Sequence, residues 1–129
     1  IAGRLDKDSA GLVVLTNDGD LTNKLTHPRY QHQKEYEVVT IKPMTDEVLV
    51  KLRSGIKLEE GTAMFDTIIK ISEKTYRVVI HQGWKRQIRR MIGAVHHDVK
   101  SLTRIRINKM ELGGLKTGEF RIVKRADII

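Results

Sequence analysis

Ala63 to Ile71 and Thr75 to Gln82 are both rich in apolar and β-branched residues, and only Ser72-Glu73-Lys74 separates them. A connection that short joins neighbouring strands as an antiparallel hairpin. The rest of the chain is read around this pair. Leu12 to Thr16 has the pattern of a short buried strand, and Asn17 or Asp18 can cap a helix that carries Leu21 and Leu25 and ends before Pro28. Tyr36 to Ile41 is the next strand. Thr45 is placed to cap a helix whose Val48, Leu49 and Leu52 share a face and which Gly55 stops. Beyond the hairpin, the pattern predicts a helix from about Lys85 to His96 and a strand over Val99 to Ile107. A turn at Gly113-Gly114 and a last strand near Phe120 to Val123 complete the chain. Hairpins in place of regular β-α-β units point to an α+β fold, a largely antiparallel mixed sheet with flanking helices.

At 129 residues the chain fits one domain, large enough to fold around a core without covalent staples. It has no cysteine, which removes disulfides, thiolate nucleophiles and thiolate metal sites from consideration. His96 and His97 are adjacent, and His27, His32 and His81 stand alone, so no metal-ligand spacing exists and no metal is expected. No apolar run reaches the length of a membrane span, so the chain reads as soluble, and the lack of cysteine is compatible with the expected cytoplasmic location. Charge says more: 24 Lys and Arg stand against 16 Asp and Glu, a net +8 that favours a polyanionic partner. From Trp84 to Lys109 the cations Lys85, Arg86, Arg89, Arg90, Lys100, Arg104, Arg106 and Lys109 face a single acid, Asp98. Such a local excess suits a surface that meets phosphates.

Three motifs carry chemistry. The first runs Gly3-Arg4-Leu5-Asp6, then Ser9, Gly11-Leu12 and Leu15-Thr16-Asn17-Asp18-Gly19, seating a carboxylate in a tight polar loop just before an apolar strand. The second is Lys34-Glu35-Tyr36-Glu37-Val38, and the third is Arg86-Gln87-Ile88-Arg89-Arg90-Met91. Together they resemble the signatures of RNA pseudouridine synthases, in the branch acting on ribosomal RNA stem-loops, and the resemblance runs from Gly3 to about Arg121. It implies an antiparallel catalytic sheet and makes Asp6 the essential residue. The resemblance implies that Tyr36 lines the uracil and helps move its C5 proton. The arginine corresponding to Arg89 pairs with the catalytic Asp, and Leu102 closes the uracil pocket. It also implies that residues 1–129 are the catalytic domain of a longer protein, with an opening strand and an S4-like RNA-binding domain ahead of it. Ser9 departs from a frequent Thr, and Lys85 from a frequent Asn.

The reaction so implied isomerises uridine without gaining or losing an atom. It needs no nucleotide, metal or redox cofactor, only a carboxylate, a rigid pocket and an extruded base. Whether the carboxylate adds to the sugar or removes a sugar proton is left open by the residues. In the predicted helix, Ile88, Met91, Ile92 and Val95 define the buried face. Arg86 and Arg90 then point away from it toward phosphate, and Arg89 on the flank can lean inward. A guanidinium at ~4 Å from Asp6 would attract it by about 4 kcal/mol at an effective dielectric of ~20, before desolvation. Strand alternation puts Arg104 and Arg106 on the side of Leu102, framing the pocket mouth together with Arg4 as RNA contacts. The expected partner is ribosomal RNA, met by a monomer without an obligatory protein partner. The rival reading is a non-catalytic basic RNA-binding module associated with the ribosome. A glycosidase-like hydrolase is a third, disfavoured because no second carboxylate has a clear role. Convergence of Asp6, Tyr36 and Arg89 on one pocket separates the enzyme from the pure binder.

Overall fold

The computed structural model describes all residues 1–129. Its main sheet runs β1 (Ala10–Gly11), β7 (Val99–Ile107), β2 (Lys34–Thr40), β6 (Thr75–Ile80), β5 (Thr67–Lys70), with β8 (Met110–Glu111) also paired to β7. Only the short β1–β7 contact is parallel, and every other pairing is antiparallel. The α+β fold with a largely antiparallel sheet is therefore the one the hairpin pattern implies.

Helix α1 (Gly19–Thr26) starts where the Asp18 carboxylate accepts from the backbone N–H groups of Asp20 and Leu21, and it buries Leu21 and Leu25. Helix α2 (Asp46–Arg53) starts at Thr45, whose hydroxyl accepts from the Val48 N–H, and it buries Leu49 and Leu52. Gly55, at a φ of 96°, ends that helix with a backbone turn other residues rarely adopt.

Three expectations are corrected. The strand foreseen at Leu12 to Thr16 does not form: the short β1 ends just before it at Gly11, and within it only Val14 makes an isolated bridge, to Ala2. Leu12 and Val14 are buried all the same, so the apolar pattern reflected burial, not ladder pairing. The run from Ala63 to Ile71 is broken over Met64 to Asp66. Its first part, β4 (Gly61–Ala63), turns away to pair with β3 (Ile56–Leu58) in a separate two-stranded hairpin. The strand foreseen near Phe120 to Val123 does not form: β8 has already taken the free edge of β7, and Phe120 and Ile122 remain exposed.

The principal core lies between one sheet face and α2, α3 (Gln87–Ala94) and the β3–β4 hairpin. The sheet supplies Val38, Tyr76, Val78, Ile80 and Leu102, and α3 supplies Ile88, Met91 and Ile92. Tyr76 is fully buried, and its hydroxyl accepts from the Met44 N–H at 2.7 Å, pinning the segment that leads into α2. A second core under α1 joins Ala2, Leu12, Val14, Leu21 and Leu25 to Ile107, Met110 and Ile128. The two cores leave an open groove between them, where the chain's first loop crosses the sheet.

Candidate active site

The groove is a cleft of about 380 Å³. Its floor is the inward face of β2 and β7, where Lys34, Tyr36, Leu102 and Arg104 lie side by side. Its walls are the loop Gly3–Ser9, the end of β6 and the turn Gly83–Arg86. The loop is closed at its base by the Ala2 N–H donating to the Val14 carbonyl, and it is tightened at its tip by the Ser9 N–H donating to the Asp6 carbonyl at 3.0 Å. Asp6 is thereby carried half-buried into the cleft, and no side-chain or backbone donor of the protein bonds its carboxylate.

On the opposite wall, Gln87 sits at the start of α3 and donates to Gln82 at 2.8 Å. Gln82 in turn donates to the Thr62 carbonyl and accepts from the Met64 N–H. This relay fixes the turn that presents Trp84, Lys85 and Arg86. Arg86 is not helical: it precedes α3 in a left-handed conformation, φ 51°, a strained state for a residue with a side chain. The twist throws its guanidinium back over the loop, where both Nη atoms clamp the Asp8 carboxylate at 2.8 and 2.9 Å.

The first residue role to be corrected is that of Arg89. It does not reach Asp6; its Nη2 donates to the Asp8 carbonyl at 2.7 Å, and its Nε stands 3.5 Å from the Asp8 carboxylate. Arg89 is the third residue of α3, bonded to the loop tip at Asp8, and it does not line the cleft. The arginine on the Asp6 side is Arg86. Asp6 and Tyr36 thus share one cleft with Arg4 and Leu102, while Arg89 holds the loop from outside.

Arg104 and Arg106 are also relocated. Tyr36 is opposite Arg104 and Glu35 opposite Arg106, so Ile105 is an extra residue that interrupts the ladder. Such a bulge reverses the alternation. Arg106 therefore turns to the other face of the sheet, where it pairs with Glu35 at 2.9 Å and donates to the Asn108 carbonyl. Arg104 stays on the cleft side but is only 1% exposed. It lies beneath the site, donating to the Leu12 carbonyl at 2.8 Å and the Gly3 carbonyl at 2.7 Å, the two strands of chain that flank the Asp6 loop. Arg90 does face outward, and its fork closes on Glu60 at 2.8 and 2.6 Å, tying α3 to the β3–β4 hairpin.

Sequence reasoning passed over Lys34, Asp8, Gln87 and Trp84. Lys34 was within reach, since it precedes Tyr36 by two residues and a strand repeats its face every second residue. Asp8 carried no local signal, because its partners are 78 and 81 residues away in the chain.

Arg86 beside Asp8 holds that carboxyl down at about 2, against an ordinary 3.8. With the folded value below the unfolded one, the contact contributes fully above the ordinary value and is lost as the pH falls toward the folded one. We expect an NMR titration of the Asp8 carboxyl to give a midpoint near 2 in the native chain, moving back toward 3.8 in Arg86→Ala. A native midpoint near 3.8 would mean that the fork is not closed in solution.

The fold and the motifs recur in known proteins. The family model described as RNA pseudouridylate synthase matches residues 1–94, and the chain belongs to that family. A dual-specificity RNA pseudouridine synthase, RluF, of Escherichia coli K12 is 39% identical over 127 residues, covering 98% of this chain and 44% of its own length. Ribosomal large subunit pseudouridine synthase B of Bacillus subtilis is 42% identical over 127 residues, covering 92% of this chain and 51% of its own. A crystal structure of a pseudouridylate synthase superposes with a TM-score of 0.92 at 30% identity, over 98% of this chain and 56% of the other. The chain spans about half the length of the curated relatives it matches.

Proposed function

We propose that this domain converts a uridine of ribosomal RNA to pseudouridine, with Asp6 as the catalytic carboxylate. The observation that carries this reading is the placement of Asp6, free of any ion pair of its own, in one cleft with Tyr36 and Leu102. The charge of the cleft supports it: Arg4, Lys34, Lys85, Arg86 and Arg104 line it against the single carboxylate of Asp6. A stem-loop brings phosphates to the rim, and one uridine leaves its stack to enter, at a cost of a few kcal/mol that RNA contacts offset.

Inside, Asp6 opens the N1–C1′ bond either by adding to C1′ or by taking the C2′ proton. The freed uracil turns over Tyr36, its C5 bonds to C1′, and the C5 proton it loses is matched by the proton gained at N1. The buried Arg104 holds the two ends of the loop in place, and Arg86 and Arg89 hold its tip through Asp8, so the carboxylate is aimed before substrate arrives. No helix is long and apolar enough to cross a membrane. We read the whole protein as a cytoplasmic monomer in which this is the catalytic domain, joined to an S4-like RNA-binding domain.

The test is tritium release from ribosomal RNA fragments labelled at uridine C5, incubated with the full-length protein, followed by mapping of the modified position. Release at one position supports the reading. Tight binding of those fragments with no release would instead favour the basic RNA-binding module.

A further inference from the structure

The floor of the cleft carries two cations that no carboxylate neutralises. Lys34 makes one long hydrogen bond, 3.4 Å, from Nζ to the Leu25 carbonyl, and its remaining N–H bonds meet no acceptor of the protein. Arg104 uses Nε and Nη2 on backbone carbonyls and leaves Nη1 without a hydrogen-bond partner, while the residue lines the cleft. Burial pushes the Lys34 amine below its ordinary value, and the neighbouring Arg104 charge pushes it further. Like charges set together where water is scarce are unfavourable until something negative arrives.

Position says what that is. The exposed cations Arg4, Lys85 and Arg86 stand at the rim, where phosphates pass. Lys34 instead shares the inward face of β2 with Tyr36, and Arg104 is the cross-strand partner of Tyr36, so both lie where the flat base rests. We propose that Lys34 is a catalytic residue that takes up the negative charge of the departing uracil, with Arg104 fixing the field around it.

When the N1–C1′ bond breaks, its electron pair stays with the ring and spreads over N1 and the two ring oxygens. An N–H of Lys34 donates to one of those oxygens. When C5 attacks C1′ the pair flows into the new bond, the charge disappears and the contact weakens. An interaction that is strongest only while the charge exists lowers the barrier without tightening the substrate complex. The inference rests on the proposed isomerisation and adds a residue to it.

Lys34→Met and Lys34→Arg, made in the full-length protein, separate this role from RNA binding, with Asp6→Asn run alongside. Single-turnover tritium release gives the rate for bound RNA, and filter binding gives Kd. The Met variant is expected to lose about 100-fold or more in bound-state rate, as when one donor to a developing anion is removed. Its Kd should stay within about threefold, and the Arg variant should regain about tenfold or more of the lost rate. Should the Met variant fail to fold, Lys34→Gln, polar but uncharged, is read in the same way. A neutral variant with a rate close to the native one overturns the proposal. So does one that loses affinity at unchanged bound-state rate, which would make Lys34 a phosphate contact. Failure of the underlying reaction looks different: the native protein releases no tritium, or Asp6→Asn releases as much as the native protein.

Discussion

Asp6→Asn in the full-length protein is expected to leave RNA bound and unreacted. Asparagine matches aspartate in shape, and the Asp6 side chain holds nothing in place. The loop is kept by the Ser9 N–H on the Asp6 carbonyl, by the Arg86 and Arg89 contacts to Asp8, and by Arg104 below. The fold and the cationic rim should therefore survive the change, and Kd should stay near the native value. What disappears is an oxygen able to bond C1′ or to take a proton from C2′. Loss of a positioned base alone removes about 10²–10⁴ in rate, and loss of a nucleophile removes more. Single-turnover tritium release measured together with RNA affinity checks this. Release at the native rate would take the carboxylate out of the chemistry.

Gly11→Ala should be the most damaging single methyl group in the domain. Gly11 has a φ of +114°, and a Cβ built on it would lie 2.2 Å from the Arg104 carbonyl oxygen and 2.5 Å from the Arg104 nitrogen. Those are backbone atoms of a central strand and cannot swing aside. The loop segment would have to lift off β7. That breaks the bond from the Leu12 N–H to the Arg104 carbonyl and withdraws the Leu12 carbonyl from the Arg104 guanidinium. Left-handed strain and lost pairing of a buried cation together place the cost on the order of 3–5 kcal/mol. Thermal unfolding followed by circular dichroism should show a midpoint lower by about 10 °C or more. A midpoint within about 3 °C of the native one would mean that β1 does not lie against β7 in solution.

The helices α1 and α2 were legible because Asp18 and Thr45 announce their starts and because leucines at helical spacing follow each. The long strand β7 and the β5–β6 hairpin were legible for the same reason, that alternation and a short polar turn are local signals. What escaped depended on partners far away in the chain. A run of apolar residues at Leu12–Val14 reports burial, but its backbone partners, Arg104 for Leu12 and Ala2 for Val14, carry no local signal. The bulge at Ile105 has no marker in the sequence, and without it Arg104 and Arg106 could not be assigned to opposite faces.

The site divides in the same way. Asp6, Tyr36, Leu102 and Arg4 were singled out by motif, and the structure gathers them around one cleft. Arg89 was assigned to Asp6 by resemblance, and the helical wheel only allowed it to lean inward. Arg86, left-handed just ahead of α3, is the arginine that lines the cleft, and both it and Arg89 bond Asp8. Buried and exposed arginines look alike in a sequence, so a clamp such as Arg104 and a surface fork such as Arg90 were both read as RNA contacts.

The bulge that sends Arg106 to the back of the sheet also gives the experimenter a quiet surface. Glu35, Glu37, Arg77 and Arg106 lie on that side, and the strands that carry them separate it from the floor residues Tyr36 and Leu102. This domain has no cysteine of its own, so a single thiol introduced as Arg77→Cys can be alkylated at one place. A dye attached there sits across the sheet from the cleft and reports on tumbling without obstructing the cleft.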